Sequence, residues 1–234
     1  MKKGSTHRKS AAPVRRTRVA EKRRSGRWWV IGVAALLVLV AAGVAYALTA
    51  QNNKGDAVPG AGSEKSKGSA TAPVVVEEYA DFQCPACRRF FDTTARQLEK
   101  EYVSTGKVKF VFRHYAFLGQ ESRWAAEAAE CANEQGRFWD YYDKLFTEQG
   151  GENVGVFSKP NLQRFAAELG LDAARFNQCL TSGKYTASVF EDINQAASKG
   201  VRGTPTLFVN GQRVDRGSDY AVLRQAIEAA LSAD

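Results

Sequence analysis

The sequence predicts an α/β domain carried behind one apolar segment long enough to cross a membrane. Three observations predict it. Over residues 73–234 the hydrophobic periods run strand, helix, strand, several helices, hairpin, helix. Ahead of this lies a run without charge from Trp28 to Asn53. Between the first strand and the first helix stands Cys84-Pro85-Ala86-Cys87.

The 33 Lys+Arg and 25 Asp+Glu give a net charge of +8 over 234 residues, but the charge is not spread evenly. Residues 1–27 hold 11 basic residues and one Glu, whereas residues 73–234 hold 19 basic against 22 acidic. A slightly acidic folded part offers no basic groove, so the composition excludes nucleic acid as a partner. Residues 1–27 read as a basic cytoplasmic tail.

Residues 28–50 read as a transmembrane signal anchor. A helix of 23 residues is about 34 Å long, enough for a hydrocarbon core of about 30 Å. Trp28, Trp29 and Tyr46 stand near its ends, where amphipathic aromatics favour the interface, and the basic tail before it places residues after 50 outside. A cleaved signal peptide is the competing reading, because Ala45-Tyr46-Ala47 has the A-x-A form. The apolar run exceeds the usual signal core of about 7–15 residues, which favours a retained anchor. Residues 51–72, rich in Gly, Ser, Ala and Asn, read as a flexible linker with a reach of about 25 Å.

Residues 73–234 make one domain of ordinary size. Pro73–Tyr79 reads as a strand and Pro85–Tyr102 as a helix with Cys87, Phe91, Ala95, Leu98 and Tyr102 on one stripe. Lys107–Tyr115 alternates as a strand. A helical stretch over Glu121–Glu148 is broken near Gly136, and helices follow at Leu162–Leu169, Asp172–Thr181 with Asp172 as N-cap, and Tyr185–Lys199. Thr206–Asn210 reads as a strand, Asn210-Gly211 as a hairpin turn, Arg213–Asp215 as the return strand and Asp219–Leu231 as a last helix.

The chemistry concentrates at Cys84 and Cys87. At a helix N-terminus the unpaired N–H groups and the positive end of the dipole stabilise an anion, and Pro85 suits the first helical position. Cys84 is therefore placed to be a thiolate, the reactive form, and Cys87 on the apolar stripe to be the buried resolving thiol. A fall in the Cys84 pKa from about 8.5 to about 5 would stabilise the reduced form by roughly 2.7 kcal/mol at pH 7, equivalent to about 60 mV, and so make the disulfide more oxidising. A zinc site wants a second close pair, but Cys131 and Cys179 stand far apart in separate helical segments, so no metal is expected. No cofactor is called for. A static disulfide at Cys84 and Cys87 stays open on spacing alone.

The segment Y-A-D-F-Q-C-P-A-C-R-R-F, followed about 120 residues later by G-V-R-G-T-P-T-L-F-V-N-G, resembles the thioredoxin superfamily. Within it the chain is similar to the DsbA-like thiol:disulfide oxidoreductases, which carry a helical insertion between the halves of the thioredoxin fold. The resemblance implies that Pro205 is cis and lies against the active-site disulfide. It also implies that Thr204, with Phe82, Pro85 and Ala86, meets a bound peptide. Glu78 matches a position where many relatives carry a buried acid that helps deprotonate the resolving cysteine. It shares strand parity with Val74 and Val76, so one of Glu77 and Glu78 points inward. Asp81 and His114 read as surface groups. By the same resemblance Cys131 and Cys179 form a structural disulfide; read from the residues alone, two reduced core cysteines remain the alternative.

The expected activity is disulfide introduction into reduced, unfolded secreted proteins on the outer face of the cytoplasmic membrane. The resemblance implies that re-oxidation would come from a quinone-linked membrane oxidase of the DsbB or vitamin K epoxide reductase-like type. An isomerase or reductase on the same fold, and a non-catalytic thioredoxin-like binding module, are the rival expectations.

Overall fold

The computed structural model describes residues 65–233. The expected tail, anchor and most of the linker lie outside the described residues. Among the described residues no helix is long and apolar enough to cross a membrane.

Val74–Ala80 (β2) and Val108–His114 (β3) form the centre of the sheet and run parallel, in register from Val74 against Val108 to Ala80 against His114. Their β-branched and aromatic residues suit a strand with buried neighbours on both sides. The sheet order is β1-β3-β2-β4-β5, with Ser66–Lys67 as β1, Thr206–Val209 as β4 and Gln212–Val214 as β5. The hairpin forms as the Asn-Gly pair predicts: Asn210 and Gly211 both take positive φ, 47° and 78°. Between β2 and β3 a helix, α1, covers residues 85–103, with α-helical turns at Pro85–Phe90 and Arg96–Leu98 alternating with π turns.

Five helices separate β3 from β4: Gln120–Asn133 (α2), Phe138–Glu148 (α3), Lys159–Glu168 (α4), Ala173–Ser182 (α5) and Thr186–Ser198 (α6). The break between α2 and α3 falls at Gly136, whose φ of 68° ends the first helix where a side chain would be strained. Asp172 caps α5 by accepting from the Arg175 N–H. Tyr220–Leu231 (α7) closes the fold, capped by Asp219. One core lies between the sheet, α1 and α7, around Val74, Val76, Phe90, Leu98, Leu207 and Ile227. A larger one joins the Cys84 end of the sheet to the insertion, around Phe82, Phe112, Phe138, Tyr141 and Phe146. Tyr79 and Phe208 face the other way, packed with Ala196 of α6.

The folded domain begins earlier than residue 73. Ser66 and Lys67 pair with Val111 and Phe110 of β3, and the Phe112 N–H donates to the Lys65 carbonyl. Gly68, at φ +96°, lets this strand approach β3: a Cβ there would stand 2.4 Å from the Val108 carbonyl oxygen. The Lys65 side chain is buried, its Nζ 2.5 Å from Glu130 and 3.1 Å from Asp192. Composition read these eight residues as linker because a two-residue edge strand has no period to detect.

Candidate active site

Strand β2 ends at Ala80, and the chain crosses a short buried turn before Cys84 caps α1. The Cys84 N–H donates to the Asp81 carbonyl at 3.0 Å, and its carbonyl accepts from the Arg88 N–H at 3.1 Å. Its thiol donates to the Thr204 carbonyl at 3.4 Å, which brings the loop before β4 against the site. The Thr204–Pro205 peptide is cis. Cys84 and Cys87 are both free thiols here.

The two cysteines differ in exposure and in acidity. Cys84 retains 8 % of its surface and Cys87 none. A hydrogen bond from the Cys87 thiol outweighs the effect of burial and, with the backbone N–H groups of Cys87 and Ala86, holds Cys84 down at about 6. Burial pushes Cys87 well above the usual thiol range. Glu78 points inward and is fully buried, and burial pushes its carboxyl up to about 8, tempered by a hydrogen bond from Tyr142.

The groups that fasten this site carry no signal in the sequence. Asp81 is buried, not superficial: its carboxylate accepts from the Gln83 N–H at 2.9 Å, the Ser122 hydroxyl at 2.6 Å and the Leu118 N–H at 3.0 Å. Gln83 is also buried, donating to Ser122 and accepting from the Asn153 N–H at 2.6 Å. Gln149, at the end of α3, donates to the carbonyls of Phe82 and Cys84 at 2.6 and 3.2 Å. Arg88 on α1 donates to the Phe146 and Thr147 carbonyls at the end of α3. These polar ties come from positions distant in sequence, so no local period announces them.

His114 also corrects its expectation. It is buried, bonded to Glu130 at 3.0 Å, and its ring meets Phe82 edge-on. Burial alone would raise the Glu130 carboxyl, but His114 and Lys65 outweigh it and hold it at about 2. His114, Glu130 and Asp192 bring ligand-type atoms within 4.8 Å of one another. The Lys65 ammonium pairs with two of them, Glu130 and Asp192.

Of the residues expected to meet a peptide, Pro85 is exposed and Ala86, Thr204 and Pro205 are half-buried around Cys84. Phe82 is the exception. Its ring stacks on Phe112 at 5.2 Å and packs on Phe146 at 5.1 Å, so it supports the site from within the core. Cys131 of α2 and Cys179 of α5 are joined by a disulfide across the insertion.

The whole arrangement, strand, C-P-A-C, helix and facing cis-proline loop, matches a family model described as thioredoxin over residues 61–229. The chain belongs to the thioredoxin family. It is 31 % identical over 193 residues to the disulfide bond formation protein D of Bacillus subtilis, covering 78 % of this chain and 84 % of that protein. The crystal structure of oxidised BdbD from Bacillus subtilis superposes with a TM-score of 0.68 at 28 % identity, over 72 % of this chain and 92 % of that one. The chain is also 36 % identical over 168 residues to the Na(+)/H(+) antiporter NhaA 3 of Salinispora tropica. There the match takes 71 % of this chain but 24 % of that protein. The chain is a thiol:disulfide oxidoreductase.

Proposed function

We propose that the enzyme works as an oxidase, introducing disulfides into reduced, unfolded secreted proteins outside the cytoplasmic membrane. The observation that carries this reading is the contrast within the C-P-A-C pair: a Cys84 that keeps a little exposed surface and whose thiolate is stabilised, backed by a fully buried Cys87 whose thiolate is not. Stabilising the thiolate that leaves makes the disulfide a better oxidant. A substrate thiolate attacks the Cys84 sulfur, forming a mixed disulfide and breaking the Cys84–Cys87 bond. Cys87 leaves and takes up a proton, for which Glu78 is the neighbouring acid. A second substrate thiolate then attacks the substrate sulfur, the substrate disulfide forms, and Cys84 departs as thiolate. Two electrons pass from substrate to enzyme. Thr204, Pro205, Pro85 and Ala86 surround the attacked sulfur and meet the peptide.

In this reading residues 1–27 stay in the cytoplasm, residues 28–50 anchor the chain, and a membrane oxidase of the DsbB or vitamin K epoxide reductase-like type restores the disulfide. The uncharged apolar segment behind a basic tail supports it. The test is the redox potential of the Cys84/Cys87 pair against glutathione buffers. A value near about −120 mV, as for a strong oxidant, supports the oxidase, and one near about −270 mV makes the enzyme a reductase. Cys84→Ser abolishes oxidative refolding of a reduced substrate.

A further inference from the structure

We propose that Tyr142, supplied by the helical insertion, is a positioning residue for the exchange: its hydroxyl holds the Glu78 carboxylate where it takes and returns the Cys87 proton. The inference rests on the reading of Glu78 given above and adds the group that controls it.

Glu78 lies in mid-sheet, opposite Phe112 on one side and Leu207 on the other, with no exposed surface. Among the described residues its Oε1 has no partner, and its Oε2 accepts from the Tyr142 hydroxyl at 3.4 Å. A buried carboxylate with one protein donor depends on that donor, because Glu78 has no surface open to bulk solvent. The donor itself cannot turn away. The Tyr142 ring is held by Phe146 at 4.8 Å, Trp139 at 5.1 Å, Phe112 at 5.2 Å and Phe91 at 5.6 Å. Phe91 belongs to the helix that Cys84 caps, so the same packing fixes the phenol relative to the cysteines. Burial pushes the Tyr142 hydroxyl well above its usual range, so it remains a donor wherever the enzyme works.

The hydrogen bond favours the carboxylate over the acid and so opposes burial, which raises Glu78. Without it fewer Glu78 side chains are charged near neutrality, and Cys87 loses its proton acceptor. The step in which this shows is internal. Starting from a mixed disulfide on Cys84, the Cys87 sulfur attacks the Cys84 sulfur and the Cys84–Cys87 bond forms. The bond to the other partner breaks, that partner leaves as a thiolate, and the Cys87 proton passes to Glu78.

The experiment mixes the reduced full chain with excess oxidised glutathione, quenches with acid at set times, and follows the glutathionylated Cys84 species by mass. The decay of that species is read from pH 5 to 10. In Tyr142→Phe the inflection moves to higher pH and decay at pH 7 slows about tenfold, the effect of losing one hydrogen bond to a charged acceptor. Glu78→Gln removes the inflection, and adding Tyr142→Phe to it slows nothing further. Tyr142→3-fluorotyrosine, a stronger donor on the same ring, moves the inflection the other way and serves if the Phe variant folds poorly. An unmoved inflection in Tyr142→Phe and the fluorotyrosine chain, or a Tyr142→Phe effect that persists in Glu78→Gln, overturns the role of Tyr142. A Glu78→Gln profile identical to wild type overturns instead the role of Glu78.

Discussion

Cys84 and Cys87 stand one helical turn apart, yet their surroundings push them in opposite directions. Cys84 gathers donors, whereas burial, the hydrogen bond it gives to Cys84 and the nearby charges of Glu78 and Cys84 all hold the Cys87 thiol protonated. Alkylation of the reduced enzyme by iodoacetamide should therefore rise through an inflection near pH 6 at Cys84, while Cys87 stays unreactive beyond pH 9. A single inflection in the ordinary thiol range would contradict the assignment of roles. Glu78 makes a second residue-scale prediction. Its folded pKa of about 8 lies above the unfolded 4.5, so native protein binds the extra proton and stability falls as pH rises through that window. Glu78→Gln should then raise the unfolding free energy of the reduced protein at pH 9 by several kcal/mol and leave little difference near pH 4. Urea denaturation at both pH values measures this.

At the scale of elements, the insertion holds the catalytic turn as well as enclosing it. α3 supplies Tyr142 to Glu78, and Gln149 at its end donates to the Cys84 carbonyl, while α2 supplies Ser122 to Asp81 and Gln83. α2 and α5 are in turn fastened by the Cys131–Cys179 bridge, across 48 positions of chain. Replacing both with Ser removes a cross-link that chain entropy values at about 4 kcal/mol, so the variant should melt lower in a calorimeter while Cys84 keeps its alkylation profile. Unchanged melting would show that the helices hold each other without the bond. The strand and helix order was readable beforehand because each has a period: β2 through its valines, α1 through its stripe, α7 through Leu223 and Ile227. The fastening was not, since Gln83 and Gln149 carry no pattern and Asp81 looks like any loop aspartate.

For the whole molecule, the start of the fold matters most. A chain beginning at residue 73 lacks β1 and Lys65, which leaves the buried Glu130 without its ammonium partner. Removing one member of such a pair costs about 3–5 kcal/mol, so a chain of residues 65–234 should be more stable than one of residues 73–234 by a comparable amount in urea denaturation. Equal midpoints would mean that the strap contributes nothing. Residues 65–234 hold 21 basic against 22 acidic residues, so the charge of the whole chain is not a property of the catalytic domain. Exchange with neutral peptides should accordingly change little between low and moderate salt.

The sequence by itself determined the kind of chemistry, because C-P-A-C at a strand-to-helix junction and a distant G-T-P-T are local patterns with local causes. It also located the charge asymmetry around residues 28–50, since charge and hydropathy are written residue by residue. Only the tertiary structure decided which of Glu77 and Glu78 faces the cysteines, that Phe82 turns into the core, that Asp81 and His114 are buried, and that Tyr142 meets Glu78 from 64 positions away. Those outcomes depend on packing between segments that share no local pattern, and burial gives each of them its energy.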